Sequence, residues 1–93
     1  MARKRPSVQP VVKTNKNDVI AAQFYDPMFK RIFTSISAVG LHKGAGITFP
    51  IVEVFKEGTK LYCDGSYRIH RNQIWLLVRC GSVYGYCTRN EVK

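Results

Sequence analysis

Acidic residues are scarce in this chain. Its 93 residues include six Asp and Glu against fifteen Lys and Arg, a formal net charge of +9. Five of the cations precede Asp18 with no acid among them. Such a basic arm favours polyanions such as nucleic acid, an anionic membrane surface or acidic wall polymers, or else serves as a solvated tail. The six acids are scattered, and none of them forms a pair spaced for glycosidic chemistry. Cysteine is thin as well. Cys63, Cys80 and Cys87 cannot all pair within one chain, no CxxC occurs, and no Cys/His spacing fits a zinc site. They read as small buried apolar residues in a reducing compartment, or as one cross-strand disulfide of Cys80 with Cys63 or Cys87.

Long apolar runs are missing too. None approaches the ~18 residues of a membrane span, so no transmembrane segment is expected. After the basic start MARKRPSVQP, Lys13, Asn15, Lys16 and Asn17 stand where the apolar segment of an export signal would lie. A cytoplasmic protein is expected, or one released to the cell wall by a non-secretory route.

What is present is a compact supply of apolar and aromatic side chains. The apolar share is 45%, with five Tyr, five Phe and one Trp, enough for one small core. Residues 1–17 hold five cations (Arg3, Lys4, Arg5, Lys13, Lys16), no acid and no regular apolar period, the pattern of a flexible basic arm. Residues 18–29 read as an adapting segment. Within it Asp26-Pro27 fits an N-cap followed by Pro at the first helical position, so a short helical turn is predicted over Pro27–Lys30.

From residue 30 to 93 the punctuation is that of an all-β domain of about five short strands. Lys30–Ile36 reads as a strand with Ile32, Thr34 and Ile36 on one face. Gly40, Gly44 and Gly46 mark a loop, with Gly44 and Gly46 free to take positive φ. Ile51–Phe55, Lys60–Cys63, Ile74–Cys80 and Val83–Thr88 read as strands, with turns at Glu57-Gly58 and Asp64-Gly65. Gly81-Ser82 fits the two-residue loop of a type II′ hairpin. Asp64–Gln73 reads as a long loop interleaving Tyr67 with Arg68, His70 and Arg71.

The order of these residues resembles the bacterial SH3 domains of cell-wall hydrolases and phage endolysins. Val39, Gly40, Leu41, His42, Lys43 and Gly44 stand where that family has a leucine–asparagine–valine–arginine–serine–glycine run. Ile51, Val52 and Phe55 fall on its apolar positions, and Glu57-Gly58-Thr59 on its lysine–glycine–threonine turn. Leu61 and Cys63, then Trp75 and Val78, then Gly85-Tyr86-Cys87 follow in its order, over about sixty of the 93 residues. Gly40 and His42 depart from the opening run, and the Asp64–Gln73 segment is longer than usual there. The resemblance implies a small SH3-like barrel; Val52, Phe55, Leu61, Val78 and Cys87 would fill its interior, leaving little room for a cofactor.

It also implies recognition of peptidoglycan or another extended peptide in an aromatic groove. Tyr62, Tyr67, Trp75, Tyr84 and Tyr86 are the candidate groove residues, with His42 and Lys43 at the rim; the alternative for Trp75 and Tyr86 is the core, Trp75 above all. A second reading is an intracellular adaptor, phage-encoded in kind, for nucleic acid or a host protein. It would use Arg3, Lys4 and Arg5 of the arm with Arg68, His70 and Arg71, the aromatic–cation interleaving that suits single strands. Catalysis is not expected. A Cys–His pair drawn from the three cysteines with His42 or His70 would need thiols placed on inward strand positions, where they are inert. Neither a metal nor a cofactor is called for.

Overall fold

The most apolar stretch of the chain lies in the middle of the sheet and is buried on both of its faces. The computed structural model describes residues 19–93, whose strands are β1 (Phe24–Thr34), β2 (Val39–His42), β3 (Ile51–Phe55), β4 (Lys60–His70), β5 (Gln73–Cys80) and β6 (Val83–Thr88). A single 3-10 turn, Arg89–Glu91, follows. The strands form one antiparallel sheet in the order β1-β4-β5-β6-β2-β3. Successive side chains of β5 serve opposite layers, as period 2 requires. Leu76 and Val78 enter the inner core with Phe33, Val39, Leu41, Leu61, Cys63, Cys87 and Val92, while Trp75 and Leu77 enter a second cluster on the outer face. The domain is all-β and barrel-like. No helix among the described residues is long and apolar enough to cross a membrane. The basic arm expected over residues 1–17, with Arg3, Lys4 and Arg5, lies outside the described residues.

Ser35 draws the sheet into its rolled shape. It is a buried polar residue at the end of β1, bridged to Val92 beyond β6. Its amide donates to the Thr59 carbonyl at 3.0 Å and its carbonyl accepts from the Gly58 amide at 2.9 Å. Its hydroxyl donates to the Lys56 carbonyl and accepts from the Thr59 amide, both at 3.0 Å. Beside it, Thr34 and Lys93 exchange two backbone bonds of 2.9 Å. The end of edge strand β1, the turn after edge strand β3 and the C-terminus therefore meet at one residue.

Several local expectations are corrected. Val39–His42 is a strand, so the sheet has six strands among the described residues rather than about five, and Gly40 belongs to β2 rather than to a loop. Asp26-Pro27 starts no helical turn. The Asp26 carboxylate accepts from the Met28 amide at 2.9 Å, and pairing with β4 skips from Tyr25 to Lys30. The Asp26 side chain makes an Asx turn that shapes a bulge within a strand and caps no helix. Asp64-Gly65 is likewise no turn. It is the opposing irregularity in β4, where Gly65 has φ 102° and a Cβ would lie 2.7 Å from the Tyr25 ring and 2.9 Å from the Asp26 carbonyl. The predicted loop Asp64–Gln73 is thus mostly strand, closed by a two-residue turn in which Arg71 (φ 52°) and Asn72 (φ 63°) are both left-handed, the type I′ pattern.

Other expectations hold in the geometry. Gly81 has φ 62° and Ser82 is not left-handed, as a type II′ hairpin needs. Gly85 does face a neighbouring strand: a Cβ there would sit 2.5 Å from the Leu41 Cβ. Ile32 and Ile36 share a face, but it is the exposed one. The inward side chain is Phe33, capped by the guanidinium groups of Arg31 at 4.2 Å and Arg89 at 5.1 Å from its ring centre. Val52 stays part-exposed on edge strand β3, while Phe55 packs against the inner core.

Replacing Ser35 by Ala removes both hydroxyl bonds, and because the Thr59 hydroxyl and amide still reach the Lys56 carbonyl at 2.6 and 3.3 Å the expected cost in urea unfolding is about 1 kcal/mol. Gly85→Ala should cost at least as much, because backbone and a Cβ, not a flexible tip, must move. A Ser35→Ala variant within about 0.5 kcal/mol of wild type would show that the closure does not depend on the hydroxyl.

Candidate binding cleft and its surroundings

The segment from Val19 to Gln23 lies as a strap over the outer face of β4, β5 and β6. Alternation leaves Trp75, Leu77 and Tyr86 on that face, and Val19, Ala22 and Ala45 cover them. The strap is held by hydrogen bonds at successive residues. The Ile20 amide donates to the Lys43 carbonyl at 2.8 Å, and the Tyr86 hydroxyl donates to the Ile20 carbonyl at 2.6 Å. Arg68 donates to the Ala21 carbonyl at 2.8 Å, and the Gln23 amide to the Tyr67 carbonyl at 3.1 Å.

This arrangement redistributes the expected groove residues. Tyr86 is fully buried with its hydroxyl engaged, so it belongs to the outer cluster and not to an open groove. Tyr67 turns inward, 5.3 Å from the rings of both Phe24 and Phe29 and packed against the inner core. Arg68, the next residue, points the other way and clasps the strap. The interleaved Tyr67–Arg71 platform is therefore not assembled, because neighbouring residues on a strand face opposite sides. Tyr62 and Tyr84 are part-exposed at the other end of the outer face, both beside Arg79.

The remaining candidates do converge. Between the β2–β3 loop, residues 43–50, and the β4–β5 turn lies a cleft of about 250 Å³ lined by Ile47, Thr48, His70, Arg71, Gln73 and Trp75. Trp75 is 3% exposed and its indole Nε1 has no hydrogen-bond partner among the described residues. His42 stands edge-on to Trp75, ring centres 5.6 Å apart, and its Nδ1 donates to the Phe49 carbonyl at 2.8 Å. His42 thus braces the cleft from behind, and Lys43 contributes backbone bonds to Ile20 and Pro50 while its side chain stays exposed. Gly46 takes φ 145° beside the His70 ring; Gly44 has no positive φ, and what its lack of a side chain admits is the Phe49 ring.

Ile47 is 82% exposed and, with Thr48, was missed by sequence reasoning, which had no reason to single out an apolar residue within a glycine-rich loop. Arg71 is held in a left-handed conformation that costs a non-glycine residue roughly 1 kcal/mol, at the lip of the cleft. One cation, one imidazole, a hydroxyl and an amide around an apolar floor suit a ligand carrying both a carboxylate or phosphate and an apolar group.

The thiols are removed from this cleft's chemistry. All three cysteines are free, with Cys63 and Cys87 buried, so the alternative disulfide does not form. Burial pushes both buried thiols above their ordinary 9.0, and Glu91 adds to the effect at Cys87. Burial also pushes the Tyr86 phenol up from 10.0 to about 12, with Arg68 offsetting part of it. Among the described residues no group of three or more His, Cys, Asp or Glu is placed to hold a metal ion.

Because these folded values are raised, folding favours the neutral forms. Their stabilisation is complete below about pH 9 and is lost as pH climbs through the folded values. The urea midpoint is therefore expected to be level from neutrality to about pH 9 and to fall between about pH 9 and 12. Tyr86→Phe should remove the phenol's share of that loss above about pH 10, at a cost of about 1 kcal/mol at neutral pH from the missing bond to Ile20. A midpoint unchanged up to pH 12 would contradict both.

Comparison with protein-family models, with curated proteins and with solved structures gives no match for this chain.

Proposed function

We propose that this protein is a non-catalytic binding module that seats an extended, carboxylate-bearing peptide, of the kind found in peptidoglycan stems, in the cleft between the 43–50 loop and the β4–β5 turn. The observation that carries this reading is the cleft itself, with Arg71 presented at its lip in a strained turn. Arg71 is suited to a terminal or side-chain carboxylate, to which a charge-assisted bond contributes more than a neutral one. Thr48 and Gln73 offer a hydroxyl and an amide to peptide groups, while Ile47 and Trp75 offer apolar contact.

The resemblance to bacterial SH3 domains supports the same reading. The cleft adjoins Val39–Gly44, the stretch matching that family's opening run, and its other wall comes from the segment that is longer here. Its selectivity then rests on His70, Arg71 and Gln73, the residues most individual to this chain. The absence of catalysis in this reading is supported by the burial of Cys63 and Cys87, which favours their neutral thiols, and by cleft residues that include neither a cysteine nor a carboxylate.

Co-sedimentation with purified peptidoglycan tests this. Wild type is expected in the pellet, and Arg71→Ala and Ile47→Asp are each expected to weaken binding about tenfold or more. Glu57→Gln, in the Lys56–Thr59 turn, should bind like wild type. Wild type remaining in the supernatant would rule out the wall ligand, and unchanged binding by Arg71→Ala would move the site elsewhere.

A further inference from the structure

A second surface, separated from the cleft by the strap, brings together side chains that lie far apart in sequence. The ladders place Ile32 of β1 opposite Tyr62 of β4, Tyr62 opposite Arg79 of β5, and Arg79 opposite Tyr84 of β6. All four share the outer face, since their strand neighbours Phe33, Leu61, Cys63 and Val78 fill the inner core. The result is a band four strands wide, with a cation between two tyrosine rings. The Arg79 guanidinium lies 4.9 Å from the Tyr62 ring centre and donates to the Gly81 carbonyl at 3.3 Å, so its plane is held in place from two sides. With strands about 4.8 Å apart, the two tyrosines stand roughly 10 Å from each other.

We propose that this band binds single-stranded nucleic acid, the bases stacking on Tyr62 and Tyr84 and the strand's phosphates drawn to the cations around them. Three observations select that ligand. The hollow between the side chains is only about 50 Å³, lined by Tyr62, Asp64, Leu77, Arg79 and Tyr84. It is too small to enclose a metabolite, so a ligand lies across the band rather than inside it.

The charge is mainly of one sign. Lys60 and Lys30 flank Tyr62 on the same face of the neighbouring rows, and with Arg79 they face one carboxylate, Asp64. The whole chain carries a net charge of +9.

The third is the nature of the stacking surfaces. Bases stack on guanidinium planes as readily as on aromatic rings, so the Tyr62 ring and the Arg79 guanidinium over it extend one stacking surface along the row toward Tyr84. A duplex hides its base faces and cannot use such a band. The surface shares no residue with the peptide cleft, and this inference does not rest on the peptide reading.

Fluorescence anisotropy of the full chain with labelled oligo(dT) and oligo(U) of about a dozen nucleotides, against a duplex of the same length, tests it. Binding to the single strands at low salt, falling steeply as salt rises, is expected. Tyr62→Ala and Tyr84→Ala should each weaken it roughly 5- to 100-fold. Tyr62→Phe should bind like wild type because the ring is kept. Arg79→Gln should weaken binding and flatten the salt slope by about 0.7. Should an alanine variant fail to fold, Ile32→Glu sets a carboxylate at a position 58% exposed in the band and is expected to weaken binding too. The proposal is overturned if wild type ignores single strands at low salt or binds the duplex as well as them. It is equally overturned if folded Tyr62→Ala, Tyr84→Ala and Ile32→Glu all bind like wild type, which would assign the affinity to residues 1–17. Because peptidoglycan sedimentation is a separate readout, failure here leaves the peptide reading standing, and the reverse also holds.

Discussion

One buried serine holds the sheet in its rolled form. An antiparallel sheet of six strands has two edges, and here the ends of both are drawn together at Ser35, whose amide, carbonyl and hydroxyl are all engaged. Apolar packing alone does not fix that geometry, since it rewards burial without direction. Hydrogen bonds do, because they are directional and here tie fixed backbone groups of three segments to one buried residue. Closure makes an inside for Phe33, Leu41, Leu61 and Leu76, and it leaves the outer face of β4, β5 and β6 for recognition.

That outer face is organised by the strap. Val19–Gln23 covers its middle, leaving Tyr62, Arg79 and Tyr84 toward one end and the cleft around Trp75 toward the other. The central strands are therefore packed on both sides, which explains why β5 reads as a nearly continuous apolar run instead of an alternating one. Residues that looked like groove aromatics, Tyr86 and Trp75, are what the strap lies on. The two clusters share strands but few side chains, so the strap has the makings of a separate, lower-stability unit above a firmer barrel.

Much of the fold was legible because it rests on local patterns. β3, β5 and β6, the Gly81–Ser82 hairpin and the collision at Gly85 all follow from periodicity or from the special backbone of glycine. What was illegible depends on partners. Asp26-Pro27 and Asp64-Gly65 carry ordinary turn chemistry, yet each meets the other across two strands and the pair becomes matched irregularities in a ladder. Arg71-Asn72 is an uncommon composition for a two-residue turn, so a long hairpin was read as a loop. Ser35 has no signature at all, being one hydroxyl in a mixed stretch. The same logic governs the sites. Tyr67 and Arg68 are neighbours in sequence and were read together, but a strand sends them to opposite faces. Tyr62, Arg79 and Tyr84 meet through register, which no window of the sequence displays.

The edge strand β3 has a consequence for how the protein behaves in quantity. It is short and β-branched, pairs only with β2 among the described residues, and exposes Ile51 at 54% and Val54 at 61% with Glu53 between them. A sheet border of that composition is a template for further strands, and a single negative charge is its gatekeeper. Crowding therefore favours edge-to-edge growth of the sheet from molecule to molecule, and the Glu53 side chain is the charge on that border which opposes it.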